Sequence, residues 1–158
     1  MNKINVDIVY KEETIELYGL SLNSNDRSIS KDITDLSKKY YKAVEKNEGE
    51  VLPFFTLSRN YNKETKDFNL FIGGILKNDK LHKHVLPQGY YGKIIVKPKL
   101  GFLWGLAIGQ AKGYFYTKWL PKSNFKGLNF EYEYHTEESI SKKPKIEIYF
   151  ALDKKECM

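Results

Sequence analysis

The order of its hydrophobic periodicities constrains the fold of this chain more than any other feature. Two stretches have the 3.6-residue period of a helix, and stretches with the period-two alternation of half-buried strands flank both of them. The first helix is predicted to follow Ser30, with Asp32 and Asp35 in its first turn, and to end near residues 47–49. The second is predicted over about residues 102–120, because Pro121 cannot continue a helix.

Strand-like alternation fills much of the remaining sequence. The predicted strands cover residues 4–10, 14–22, 54–59, 68–76, 89–97, 130–135 and 145–152. The first two form either a strand pair or one long bent strand, because the alternation slips near Tyr18-Gly19, as it does at a β-bulge. Gly73-Gly74 predicts a further bulge or a close approach of two backbones.

This order of elements predicts the fold class. We expect an α+β fold of duplicated β-α-β-β units that form an antiparallel sheet, with two main helices packed on it in pseudo-two-fold symmetry. The 158 residues are expected to form a single domain. Its halves would be about 1–78 and 83–153, with the seam in the polar stretch 77–83. The groove where the halves meet is the natural place for a cavity.

Composition argues against several classes of protein. The chain has no apolar run of about eighteen residues, so a membrane-spanning helix is not expected. The N-terminus has no basic leader and no apolar segment, which predicts a cytoplasmic protein. The net charge of +6 raises the question of nucleic acid, but the lysines are dispersed and only Arg27 and Arg59 are arginines. We therefore expect a solvated lysine-rich surface and no direct nucleic-acid binding.

Signatures of metal, cofactor and catalytic sites are missing from the sequence. The only cysteine, Cys157, is the penultimate residue, so neither an internal disulfide nor a cysteine metal cluster can form. His82 and His84 are predicted to lie in a polar surface loop, without enough partners for a metal shell. The chain has no Ser-His-Asp spacing, P-loop, dinucleotide fingerprint or HExxH sequence. We expect no metal and no cofactor.

Three glycines in the second helix need an explanation. Gly105, Gly109 and Gly113 lie on one helix face, and each costs the helix about 1 kcal/mol relative to alanine. Close packing of this face on the sheet, a wall of a ligand pocket, or a contact between copies of the chain would each offset that cost.

Aromatic residues, 15% of the chain, are dense where a central cavity is expected. On the strand 130–135, period two sends Tyr132 and Tyr134 to one face and Glu131 and Glu133 to the other. A carboxylate among aromatic rings would bind flat or cationic ligands. The candidate ligand-binding residues are Glu131, Glu133, Tyr132, Tyr134, Tyr90, Trp104, Trp119 and Phe71.

Short motifs in a fixed order resemble those of the GyrI-like, effector-binding (SOUL-related) domains, and they cover nearly the whole chain. The matching segments are Glu12–Leu22, Leu86-Pro-Gln-Gly-Tyr90, Trp119-Leu120, Phe130-Glu131 and Lys145-Ile-Glu-Ile-Tyr149. The resemblance implies a duplicated β-α-β-β fold that binds hydrophobic, often cationic drugs through an inward glutamate, here Glu131. The family often has Glu-x-Tyr at this strand, whereas Glu131 is followed by Glu133. Alignment on Tyr134 instead would put Tyr132 in place of the acid.

The resemblance leaves three functions open. The first is a stand-alone protein that senses or sequesters an aromatic or cationic drug or xenobiotic in a central aromatic pocket with a buried acid. The second is a hydrolase that opens cyclopropane-bearing xenobiotics, with Glu131 or Glu133 as the acid. The third is a protein-interaction module such as a gyrase-protecting protein. Binding without catalysis is the leading expectation, with a small molecule as the main partner and a protein partner as an alternative.

Overall fold

Eight strands form one antiparallel sheet, and two helices lie on it. The computed structural model describes residues 4–45, 54–98, 104–136 and 144–155. The elements of the first half are β1 (Asp7–Lys11), β2 (Ile15–Asn25), α1 (Ile29–Ala43), β3 (Phe54–Arg59) and β4 (Asp67–Gly74). Those of the second half are β5 (His82–Leu86), β6 (Gly89–Val96), α2 (Trp104–Tyr114), β7 (Phe125–His135) and β8 (Ile146–Lys154).

The strand order shows the internal symmetry directly. The sheet reads β1-β6-β8-β7-β3-β4-β2-β5 from edge to edge. If each element of the second half is matched to its counterpart in the first, the same order is obtained from the opposite edge. The pseudo-two-fold axis therefore passes between β3 and β7, and the α+β class with a duplicated unit is confirmed. Each half also exchanges its first strand with the other, since β1 pairs with β6 and β5 pairs with β2.

The second unit has one strand more than the sequence predicted, and in the first unit β1 and β2 are two separate strands that each pair elsewhere in the sheet. The order is β-β-α-β-β, because His82 and His84 lie in strand β5 and not in a loop. This strand carries polar side chains at an edge of the sheet, so it lacks an apolar alternation that sequence reasoning could detect. The strand is held by antiparallel pairing with β2, in which its backbone forms hydrogen bonds and His84 lies opposite Leu17.

The helices differ from the prediction at their ends. Helix α1 begins after Ser28 rather than Ser30, and Asp32 accepts hydrogen bonds from Ser24 and Ser28 at 2.7 and 2.6 Å. It ends at Ala43, before the predicted stop, which lies outside the described residues. After α2 the chain continues through a π-helical turn, Phe115–Trp119, and a 3₁₀ turn, Leu120–Lys122, so Pro121 is tolerated at the start of the second turn.

A close approach of two backbones explains the glycines in β2 and β4. Gly19 lies opposite Gly73, and a Cβ atom on either residue would overlap a carbonyl oxygen of the opposite strand. The close approach expected at Gly73-Gly74 is confirmed. The bulge expected near Tyr18-Gly19 was wrong, because the β2–β4 register runs without a shift from Tyr18 to Asn25. Strand β2 is one long strand.

Apolar side chains cover both faces of the sheet. Helix α1 packs on β2 and β4, and helix α2 packs on β6 and β8. The sheet curls into a half-barrel, and a third cluster fills the face opposite the helices. That cluster, called the concave cluster below, consists of Leu17, Phe55, Leu57, Phe71, Leu86, Tyr91, Tyr132, Tyr149 and Ala151. The helices lie on one face of the sheet but do not cover its centre. On that face, strands β3 and β7 at the symmetry axis carry polar residues.

Candidate functional site

Two glutamates lie at the centre of the helix-bearing face. On β7, Glu131 and Glu133 point to this face, where their cross-strand neighbours on β3 are Ser58 and Thr56. Glu133 is buried, and Glu131 is largely buried. Because α1 and α2 cover the strands on either side, the symmetry axis places both carboxylates between the two helices. We call Lys112, Tyr116, Glu131, Glu133 and His135 the central site.

Helix α2 supplies the direct partners of these acids. The Lys112 ammonium lies 3.3 Å from Glu131 Oε2 and 3.6 Å from Glu133 Oε2, so one cation bridges both carboxylates. Tyr116, one helical turn further on, donates from its hydroxyl to Glu131 Oε1 at 3.3 Å. On the strand itself, His135 Nε2 lies 3.2 Å from Glu133 Oε1. The acids are therefore held by residues of both the sheet and the helix.

The pKa values of the residues in the central site depend on one another. Burial acts to raise the pKa of Glu133, but Lys112 and the hydrogen bond with His135 outweigh it, so the pKa lies below its ordinary value. Burial acts to lower the pKa of Lys112, yet the two glutamates outweigh it, and the pKa is raised. Burial and Glu131 raise the pKa of the Tyr116 hydroxyl, so it remains a donor at neutral pH. Glu133 and Lys112 are both charged at pH 7.

The charges of this site do not balance. Two carboxylates face one lysine, and His135 adds a positive charge only when it is protonated. Counted formally, with both carboxylates ionised and the histidine neutral, the five residues carry a net charge of −1. An uncompensated charge is costly to hold away from water, and a monovalent cation next to the glutamates would offset that cost.

The three glycines of α2 face open space. Within the described part of the chain, a Cβ atom on Gly105, Gly109 or Gly113 would meet no atom within 4 Å other than its chain neighbours and the backbone of its own helix. The side of the helix that packs on the sheet carries Ala107 and Ala111 instead. Close packing of the glycines on the sheet is therefore excluded, and the pocket-wall and self-contact alternatives remain. On the helix wheel the glycine face includes Lys112 and Tyr116, so it adjoins the central site.

We expect Gly109→Ala to raise the free energy of unfolding by about 1 kcal/mol, because alanine is the better helix former and the added methyl group meets nothing. Urea denaturation followed by circular dichroism measures the change. Gly92→Ala is the matched control, since its methyl group would lie 2.8 Å from the Phe115 ring and should destabilise. A loss of stability in Gly109→Ala would contradict the open position of this glycine.

The predicted aromatic residues do not surround the acids. Tyr132 and Phe71 are buried in the concave cluster, on the opposite face of the sheet from Glu131 and Glu133. Tyr132 stacks on Tyr149 with ring centroids 4.8 Å apart, and Tyr134 packs at the edge of the same cluster. The alternation on strand β7, which was read correctly, is what separates the rings from the carboxylates.

The other three predicted aromatic residues lie around α2. Trp104, Trp119 and Tyr90 pack against the apolar cluster under this helix. Trp119 stacks on Phe115 at 5.2 Å and lines an open cleft of about 480 Å³ together with Lys118 and Lys122. The eight candidate residues therefore occupy three places, and only Glu131 and Glu133 meet at the symmetry axis.

Sequence reasoning missed Lys112 and Tyr116 as functional residues. The available signal was a charged residue next to a glycine in a helix whose residues from Trp104 to Ala111 are apolar or glycine except for Gln110. Such a lysine needs a buried acid as a partner, and the glutamates of β7 were the unassigned acids.

His84 has a structural role. Its Nδ1 atom accepts a hydrogen bond from Arg59 Nη1 at 2.8 Å, and its ring lies near Phe71 and Phe130. Burial and the Arg59 charge lower the pKa of His84, so the ring stays neutral at pH 7.

The part of the chain that the structure describes contains no group of three residues that could hold a metal ion. None of its helices is long and apolar enough to cross a membrane.

Comparisons with known proteins identify the fold. No family model matches the sequence, and no curated protein matches it. Among solved structures, SAV2435 bound to tetraphenylphosphonium is similar with a TM-score of 0.66 at 13% identity, covering 96% of this chain and 94% of that one. The C-terminal domain of EcmrR is similar with a TM-score of 0.63 at 17% identity, covering 96% and 98%. The chain has a GyrI-like fold.

A third structure with the same GyrI-like fold comes from the mobile metagenome of Vibrio cholerae. The integron cassette protein VCH_CASS2 is similar with a TM-score of 0.63 at 15% identity, covering 95% of each chain. In all three comparisons nearly the whole of both chains is matched. The similarity therefore extends over nearly the whole chain and is not limited to one of its halves.

Proposed function

We propose that this protein binds a small organic cation, aromatic or drug-like, next to Glu131 and Glu133. The observation that carries the proposal is a largely buried acid pair that, among the described residues, shares one lysine as its counter-charge. A domain with such a site senses or sequesters its ligand. SAV2435, a neighbour in fold, was solved with tetraphenylphosphonium, a lipophilic cation, and this supports the choice of ligand class.

The surface of α2 beside the acids suits the apolar part of such a ligand. Gly109 leaves helix backbone accessible, and Tyr116, whose hydroxyl contacts Glu131, is 39% exposed. Flat rings can lie on such a surface, and the Tyr116 ring can interact with a neighbouring cation. Apolar burial would supply most of the affinity, and the carboxylates would select the sign of the charge.

We expect tetraphenylphosphonium to bind, and tetraphenylborate, an anion of the same shape, to bind much more weakly. Isothermal titration calorimetry measures both affinities, and a thermal shift provides a second readout. A ligand at about 100 times its Kd should stabilise the fold by about 2.7 kcal/mol.

The matched variants are the Glu131→Gln/Glu133→Gln double variant and Glu16→Gln. The double variant should lose the preference for the cation, because no carboxylate remains at the site. Glu16→Gln removes a glutamate from an exposed pair with Lys83 and should leave binding unchanged. Equal affinity of wild type for the cation and the anion, or no binding of either, would refute the proposal.

A further inference from the structure

Lys112 occupies the position that the proposed ligand needs. Its ammonium is 3.3 and 3.6 Å from the two glutamates and so fills the space next to both carboxylates, where a bound organic cation would lie. A lysine and a ligand cation cannot both hold this position. We propose that Lys112 is a built-in competitor, and that a cationic ligand binds by displacing its ammonium from Glu131 and Glu133. This inference rests on the proposed function and concerns its regulation.

Lys112 has room to leave. Side chains on a helix lean toward the preceding turn, and for Lys112 that turn carries Gly109. Gly109 has no Cβ, and apart from its chain neighbours no side chain of the described residues lies within 4 Å of the position that a Cβ would take. The Lys112 side chain already retains 23% of its exposure. A change of side-chain rotamer can therefore bring the ammonium into water without movement of the helix backbone.

Competition has a measurable consequence for affinity. A ligand binds only to molecules whose acids are free of the lysine, so the apparent Kd is the intrinsic Kd divided by the free fraction. If the ion pair is formed about nine-tenths of the time, removal of the lysine should tighten cation binding about ten-fold. A lysine that only orients the carboxylates would have the opposite effect, since its loss would weaken binding.

The test compares Lys112→Met with wild type by titration of tetraphenylphosphonium at pH 7.5 and low salt. We expect the Kd of Lys112→Met to be lower by about ten-fold or more. Lys118→Met is the matched control, because Lys118 is an exposed lysine of the following helical turn, and its Kd should stay within about two-fold of wild type. Circular dichroism confirms that each variant is folded.

A second pair of variants covers the case in which two unpaired buried acids prevent folding. Lys112→Met/Glu133→Gln removes one charge of each sign and keeps Glu131 for the ligand. It should bind the cation more tightly than Glu133→Gln alone, in which Lys112 still competes for Glu131. Equal or weaker binding in this comparison would overturn the inference even where Lys112→Met is unfolded.

The outcomes separate this inference from the proposed function. If wild type binds the cation and the lysine variants bind no more tightly, the inference fails and the proposed function stands. If only the lysine variants bind, the lysine is a competitor strong enough to block the site, and the proposed function fails for the natural chain. If neither wild type nor any lysine variant binds, both fail.

Discussion

Phe115→Ala is expected to lower the free energy of unfolding by about 3–5 kcal/mol. Phe115 is fully buried, and its ring stacks on Phe150 with centroids 3.9 Å apart. It also fills the space in front of Gly92, where an added methyl group would be only 2.8 Å from the ring. Loss of the ring leaves a cavity between α2 and the sheet that the rigid strands cannot close.

Urea denaturation measures this loss, and the melting temperature should fall by on the order of 10 °C for a domain of this size. Leu106→Ala is the matched control on the same helical segment, because Leu106 is 54% exposed and should cost less than about 1 kcal/mol. Similar losses in the two variants would contradict the packing of the π-helical turn described here.

Gly73→Ala is expected to cost about 3 kcal/mol or more, at the upper end of the range for overpacking. The added methyl group would overlap the Tyr18 carbonyl oxygen, and the strands cannot move apart without loss of the β2–β4 hydrogen bonds. Chemical denaturation measures the loss. Gly109→Ala serves as the comparison, since the same chemical change there should stabilise. A mild effect at Gly73 would mean that β2 and β4 separate easily.

Most helices and strands could be predicted because the periodic patterns that indicate them lie within short stretches of the sequence. Period-two alternation located β3 and β6 to within a residue, and the apolar stripe through Leu36 and Tyr40 located α1. Strand β5 could not be found this way, because its side chains are mostly polar and its stability comes from pairing with β2. Pairing partners that are distant in sequence leave no periodic signal in an edge strand.

The candidate site was only partly predictable, for a similar reason. Alternation on β7 correctly put Glu131 and Glu133 on one face and Tyr132 on the other, but it could not tell which face the helices cover. Both faces of this sheet are buried by apolar clusters, so burial of tyrosines did not imply that they accompany the acids. The decisive contact, Lys112 with both glutamates, joins α2 to β7 and depends on the packing angle of the helix.

The exchange of first strands has a consequence for synthesis on the ribosome. Strand β1 emerges early, yet its partner is β6, with Asp7 opposite Lys93. A nascent chain therefore carries an unpaired β1 until β6, more than eighty residues later in the sequence, has been translated. Folds dominated by such distant pairings form slowly, and their unpaired edges are exposed to aggregation meanwhile. Pairing of β1 with β6 must be a late event. Slower translation ahead of β6 would prolong the time during which β1 is unpaired and prone to aggregation.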